Sequence, residues 1–215
     1  MNNLVSRRLF LIGAASSFLP LIPITARAMQ DDEIIGKVVR LQAAAVAMQN
    51  AMPRILEVGS EILLGDVIST GPDARILIEL SDGGELTLGE KTIFVVLEYV
   101  MSMDSNNAVM QLLEGAFLAT SGKLMQQADA SFEINTPTAT IGIRGTTVWG
   151  GPLDHELEVV MLAGKGVYVE TKQGRVELTE VGGGTSIKSA KSKPTPAKVW
   201  GAGKIARASA TIAFK

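Results

Sequence analysis

Short apolar segments of about five residues, most closed by a turn rich in glycine or asparagine, recur along this chain from Ile34 to Thr179. This is the feature that most restricts the fold. Arg75–Leu80 alternates aliphatic and polar side chains at period two, and Ser81-Asp82-Gly83-Gly84 supplies a tight turn. Glu85–Leu88 then returns as the second arm of a hairpin. The same pattern predicts strands at Ile34–Leu41, Thr92–Tyr99, Ala108–Leu113, Ala116–Ser121 and Ser131–Asn135. Further strands are predicted at Thr140–Arg144, Thr146–Trp149, Glu156–Leu162, Val167–Thr171 and Arg175–Thr179. Asp104-Ser105-Asn106-Asn107 reads as a polar turn and Lys172-Gln173-Gly174 as a hairpin loop. No long capped amphipathic helix appears in this body; Ala43–Met52 reads as a short helix or an irregular excursion ended by Pro53. The fold class is therefore all-β, a β-solenoid-like or barrel-like stack of short strands.

A weak internal repeat supports stacking. Leu64-Gly65, Leu113-Glu114-Gly115 and Leu162-Ala163-Gly164 each lead into an apolar strand, with the glycines 50 and 49 residues apart. A fixed period is what stacked units produce, because each buries its apolar face only against its neighbours.

The first 28 residues read as an address. Arg7 and Arg8 form a positive start, Leu9–Ile24 is moderately apolar, and Ala26-Arg27-Ala28 is a small-x-small cleavage pattern. Ser6-Arg7-Arg8-Leu9-Phe10-Leu11 resembles the twin-arginine export consensus. Cleavage would release a periplasmic chain, residues 29–187 forming the β domain and 188–215 a tail, with no stable transmembrane span after processing. The alternative is an uncleaved N-terminal anchor.

Charge divides the mature chain. Setting aside Arg7, Arg8 and Arg27 leaves 17 basic against 22 acidic residues, a net charge of about −5. Residues 188–215 contain Lys188, Lys191, Lys193, Lys198, Lys204, Arg207 and Lys215 and no acid. The body is thus strongly acidic and repels phosphate, which argues against nucleic acid as a partner. The basic tail lies back on its body, touches anionic lipid or cell-wall polymer, or is a solvated extension; the sequence leaves all three open.

The absence of cysteine excludes disulfides and thiolate chemistry, and the single histidine, His155, leaves little room for a metal centre or a nucleophile–histidine pair. Asp154-His155-Glu156 reads as a solvated turn, since adjacent strand residues point to opposite faces. Trp149 and Trp200 read as partial core or edge anchors. No cofactor, metal ligand or catalytic residue is assigned.

Residues 58–94 and 131–150 are more specific than composition. They carry Gly65-Asp66, Thr70-Gly71, Asp82-Gly83, Leu86-Thr87-Leu88-Gly89, Thr136-Pro137, Ala139, Gly142 and Arg144-Gly145-Thr146. Together these resemble the FecR domain family, periplasmic β domains best known from iron-uptake signalling, over about residues 36–185. FecR-type transducers usually place an anti-sigma segment and a membrane helix before this domain; here an export signal precedes it. Read from the residues alone, the glycines serve turns and close backbone approaches. Arg144 points inward to a carboxylate such as Asp66 or Asp82, or else binds an anionic ligand.

The expected function is non-enzymatic: an exported module that binds another protein or a cell-envelope polymer. The alternative is a regulator in FecR-type, sigma-factor-linked cell-surface signalling that lacks its own membrane helix. A carbohydrate-processing enzyme is a third and weaker reading. The sequence sets neither partner nor oligomeric state.

Overall fold

The computed structural model describes residues 33–102, 106–127 and 129–215. The signal residues Arg7, Arg8, Ala26 and Ala28 lie outside the described residues, as do two residues of the polar turn expected at 104–107.

Eighteen strands build two sheets of nine. The chain opens with β1 (Ile34–Gln42), β2 (Ala45–Gln49), β3 (Met52–Ile55), β4 (Glu61–Leu63), β5 (Val67–Thr70) and β6 (Arg75–Leu80). It continues with β7 (Glu85–Leu88), β8 (Ile93–Met101), β9 (Asn106–Glu114), β10 (Phe117–Thr120), β11 (Ser131–Asn135) and β12 (Thr140–Ile143). It closes with β13 (Thr146–Gly151), β14 (Leu157–Gly164), β15 (Val167–Thr171), β16 (Gly174–Leu178), β17 (Gly183–Ile187), β18 (Lys198–Val199) and the helix α1 (Ala202–Ile212).

The first sheet has the order β18-β17-β14-β13-β10-β7-β6-β1-β4, the second β16-β15-β12-β11-β9-β8-β5-β2-β3. All pairings are antiparallel except β9 with β11. The fold is all-β as the sequence predicts, and the two sheets are open and close into no barrel. Their inner faces share one core, to which Ile76, Ile78, Phe117 and Val148 come from the first sheet and Phe94, Val96, Ile141 and Val169 from the second. Phe94 and Phe117 bridge the layers with ring centroids 6.4 Å apart.

The chain crosses repeatedly between the sheets, and the L-x-G repeat is a crossing device. Gly65 lies between β4 and β5, Gly115 between β9 and β10, and Gly164 ends β14 just before β15. Each pair of strands belongs to opposite sheets. All three glycines have positive φ, 87°, 91° and 105°, a region that costs other residues about 1–2 kcal/mol. At the second and third corners a buried threonine fills the space left by the missing Cβ. Thr92 Oγ1 accepts from Ala116 N–H beside Gly115, and Thr146 Oγ1 accepts from Gly166 N–H beside Gly164.

Residues 43–52 are neither helix nor irregular excursion. Ala43 turns at φ 56° into β2, and Asn50-Ala51 form a hairpin bend with φ 50° and 62°. Helix propensity in this alanine-rich run gives way to burial of Ala45 and Ala47 in the core. Pro53 sits within edge strand β3 rather than ending an element. Its missing N–H suits an edge and discourages pairing with a further strand.

The basic tail lies back on the body. Ile205, Ala208 and Ile212 of α1 pack with Trp149, Val160 and Leu118 on the outer face of the first sheet. Trp200 meets Trp149 edge-on at 6.3 Å, and Trp149 Nε1 donates to Thr211 Oγ1 at 2.9 Å. Gly184 admits the Trp200 ring: a Cβ there would stand 2.4 Å from it. Electrostatics reinforce the docking. Lys204 reaches the fully buried Glu158 at 2.5 Å, Arg207 pairs with Asp154 at 2.6 Å, and Lys215 with Asp73 at 3.0 Å.

Burial pushes the Glu158 carboxyl up. Lys204, the Ser186 hydroxyl, the Asp154 amide and His155 outweigh it and hold the group below its ordinary value of 4.5. A carboxylate depressed in the folded state adds stability above its unfolded pKa and loses it as pH falls through the folded one. Tail docking, followed by tryptophan fluorescence, is therefore expected to be constant between roughly pH 8 and pH 5 and to weaken only in more acid solution.

Candidate functional site

The motif residues are distributed over corners and turns, and the structure shows what each holds. Asp66 is fully buried; its Oδ2 accepts from Arg54 Nη2 at 2.6 Å and from Leu63 N–H at 2.8 Å. It thereby ties β3 to the β4–β5 corner beside Gly65. Thr70 Oγ1 accepts from Thr92 N–H at 2.8 Å and donates to the Gly89 carbonyl at 2.6 Å, locking β5 against the start of β8. Gly71 N–H donates to the Ala44 carbonyl at 3.0 Å.

Asp82 closes the β6–β7 turn, in which Gly83 takes φ 80°. Its carboxylate accepts from Gly84 N–H at 2.9 Å and from Leu124 N–H at 3.0 Å. That second bond fastens the 3₁₀ turn at Lys123–Gln126 to the first sheet. Tyr99 lies against Asp82, and burial together with this neighbour pushes its hydroxyl well above the ordinary tyrosine value. Thr136-Pro137 opens the β11–β12 hairpin, where Thr136 Oγ1 accepts from Ala139 N–H at 2.9 Å. Thr146 fixes the β12–β13 crossing, where Gly145 has φ 61°.

Arg144 corrects the sequence expectation. Its side chain is 57% exposed; it faces Glu177 at 3.7 Å and lies over the Tyr168 ring at 5.6 Å, and it contacts neither Asp66 nor Asp82. The alternation of β12 explains this: Ile141 and Ile143 point into the core, so the next residue points out. The partners assigned to it are otherwise engaged, Asp66 by Arg54 and Asp82 by backbone amides.

Gly142 serves a different purpose from the corner glycines. It stands in one cross-strand row, Glu133–Gly142–Tyr168–Glu177, on the outer face of the second sheet. The Tyr168 ring lies over it, so closely that a Cβ would meet the ring edge. Tyr168 donates to Glu133 at 2.5 Å, and burial with that carboxylate pushes its hydroxyl up to about 12. Arg175 covers the ring at 3.9 Å and binds Glu177 at 2.6 Å. An aromatic surface capped by two guanidinium groups and framed by carboxylates results. Toward the opposite edge the same face turns apolar, through Met48, Val67 and Val95 in one row. Met48 and Ile55 are exposed there, Ile55 pairing with outward Val46. This graded face, apolar at one end and charged at the other, is the candidate contact surface.

Sequence reasoning missed this row because its members come from four strands. Alternation marks Tyr168 and Arg175 as outward, but only the register brings them together. Among the described residues no cluster of histidine, aspartate and glutamate is arranged to hold a metal ion. His155 lies beside Glu158 at 3.3 Å, within the tail-docking network.

Comparison with known proteins now bears on this geometry. The family model described as FecR protein matches residues 66–177, from the buried Asp66 to Glu177 of the outer row. No curated protein matches the chain. Among solved structures, two crystal structures of a putative anti-sigma factor from Parabacteroides distasonis ATCC 8503, at 1.65 and 2.50 Å resolution, share the fold. Each has a TM-score of 0.52 and 16% identity, and the match covers 65% of this chain and 62% of that one. With more than half its length matched, and with the family's motifs placed at the corners of two stacked sheets, the chain belongs to the FecR protein family.

Proposed function

We propose that this chain is a FecR-type regulator of cell-surface signalling, exported to the periplasm, that acts by contact with a protein partner and so influences a sigma factor. The observation that carries the reading is the FecR match across residues 66–177. The Parabacteroides structures, whose description names an anti-sigma factor, share this fold. The geometry is consistent with a binding role. Apart from Arg144, the polar motif residues are spent on corners and turns, whereas the outer face of the second sheet, to which Arg144 belongs, offers an aromatic, cationic and apolar surface of the kind enriched at protein contacts. Among the described residues no helix is long and apolar enough to cross a membrane.

The alternative, an assembly module bound to cell-wall polymer, predicts a different partner. Affinity capture of the tagged chain after cross-linking in its own cells separates the two. The regulator reading expects an outer-membrane receptor or an inner-membrane transducer. Recovery with the purified cell wall and with neither of those proteins would overturn it.

A further inference from the structure

Arg75 is 4% exposed, yet its guanidinium is almost unused. Of its five donors, Nη1 binds the Ala74 carbonyl at 2.7 Å, Nε is buried without a partner, and no ion pair reaches it among the described residues. A buried charge left this way is a liability to stability, which a leucine or methionine would relieve. Departures of that kind are found at functional sites.

The same arginine lines a cavity of about 310 Å³ beneath the end of α1, at the small end of the range for ligand sites. Ala116 and Pro152 give it apolar walls. Glu90 and the end of α1 supply it with acceptors. Glu90 stands in the wall and forms no ion pair with Arg75; one of its oxygens takes the Asp73 amide at 2.7 Å. Ala210 and Thr211, also in the wall, belong to the last turn of α1, whose carbonyls have no donor within the helix and whose last turn contains no basic residue. One wall thus donates to an anion, while the others accept from a cation.

We propose that this cavity binds a free α-amino acid. Its carboxylate is held by Arg75, its ammonium by Glu90 and the terminal carbonyls of α1, and its side chain lies against Ala116 and Pro152. The helix that roofs the site belongs to the tail, so occupancy fastens the tail to the body. The assignment does not depend on the signalling reading and stands or falls separately from it.

Calorimetric titration of the full chain with each proteinogenic amino acid at millimolar concentration tests it. At least one is expected to bind, at least about tenfold more weakly to Arg75→Met and about tenfold more weakly to Glu90→Gln, the effect of losing a charged hydrogen bond. The deaminated analogue of that amino acid is expected to bind wild type more weakly and to be indifferent to Glu90→Gln. Ligand-free Arg75→Met is expected to unfold at the same urea concentration as wild type or a higher one. Three results would overturn the proposal: no amino acid binds; Arg75→Met binds as well as wild type; or ligand-free Arg75→Met unfolds at lower urea, which makes the arginine structural. Equal affinity for the deaminated analogue would remove the amino-acid assignment.

Discussion

Replacing Gly115 or Gly164 by alanine is expected to destabilise the domain by about 3 kcal/mol or more, whereas the same change at Gly65 costs only about 1–2 kcal/mol. The three residues occupy equivalent corners with nearly the same positive φ, so the backbone strain is common to all. Space differs. A Cβ on Gly115 would lie 2.1 Å from Thr92 Oγ1 and 2.5 Å from Thr92 Cα, and one on Gly164 would lie 2.3 Å from the Gly145 carbonyl oxygen. Neither neighbour is the free end of a long side chain, so the crossing strands must move. At Gly65 the nearest atom is Gln49 Nε2, at 3.9 Å. Urea denaturation of the three variants measures the difference. Equal losses would mean that φ alone governs these corners and that the buried threonines contribute no packing constraint.

Truncating Trp149 to alanine carries the second large effect, about 3–5 kcal/mol, the usual cost of removing a fully buried large aromatic side chain. Trp149 is 0% exposed although it points to the outer face of the first sheet, because α1 and Trp200 cover it. Its loss empties the second core, removes the edge-on contact with Trp200 and leaves Thr211 without the indole donor. The damage should also have a distinctive location. Limited proteolysis is expected to cut the variant first within the residues of α1, releasing the tail while the two-sheet body persists. Cleavage spread evenly over the chain would show that the tail is not a separable layer.

Legibility from sequence followed the range of the forces involved. Strands β6, β7, β11 and β15 run over the residues that alternation marks, because a period-two pattern is set by local contact with one core. The β2–β3 hairpin escaped because an alanine-rich run has helix propensity, and only pairing with β5 makes it extended. Strand β17 escaped because Gly183-Gly184 carries no β preference; Gly184 is there to admit Trp200. The L-x-G repeat was visible, but its meaning, a change of sheet at each glycine, required the pairing order. Arg144 was read inward from its motif when the alternation of Ile141 and Ile143 already placed it outside. Asp66 was recognised, but its partner was not, since Arg54 reaches it only across a corner. Arg75, one polar residue at the start of an ordinary strand, gave no signal at all. Its burial depends on the tail folding back over the sheet, which charge alone left undecided.

The central claim, that this FecR-family chain regulates a sigma factor through a protein contact, is tested most directly by transcript profiling of cells with and without its gene. The account predicts a change confined to a small set of transcripts whose promoters share one recognition sequence. The change should be restored by the wild-type chain and not by a chain in which the outer-face residues Tyr168 and Arg175 are both replaced by alanine. An unchanged profile, or a diffuse envelope-stress response with no common promoter sequence, would contradict it.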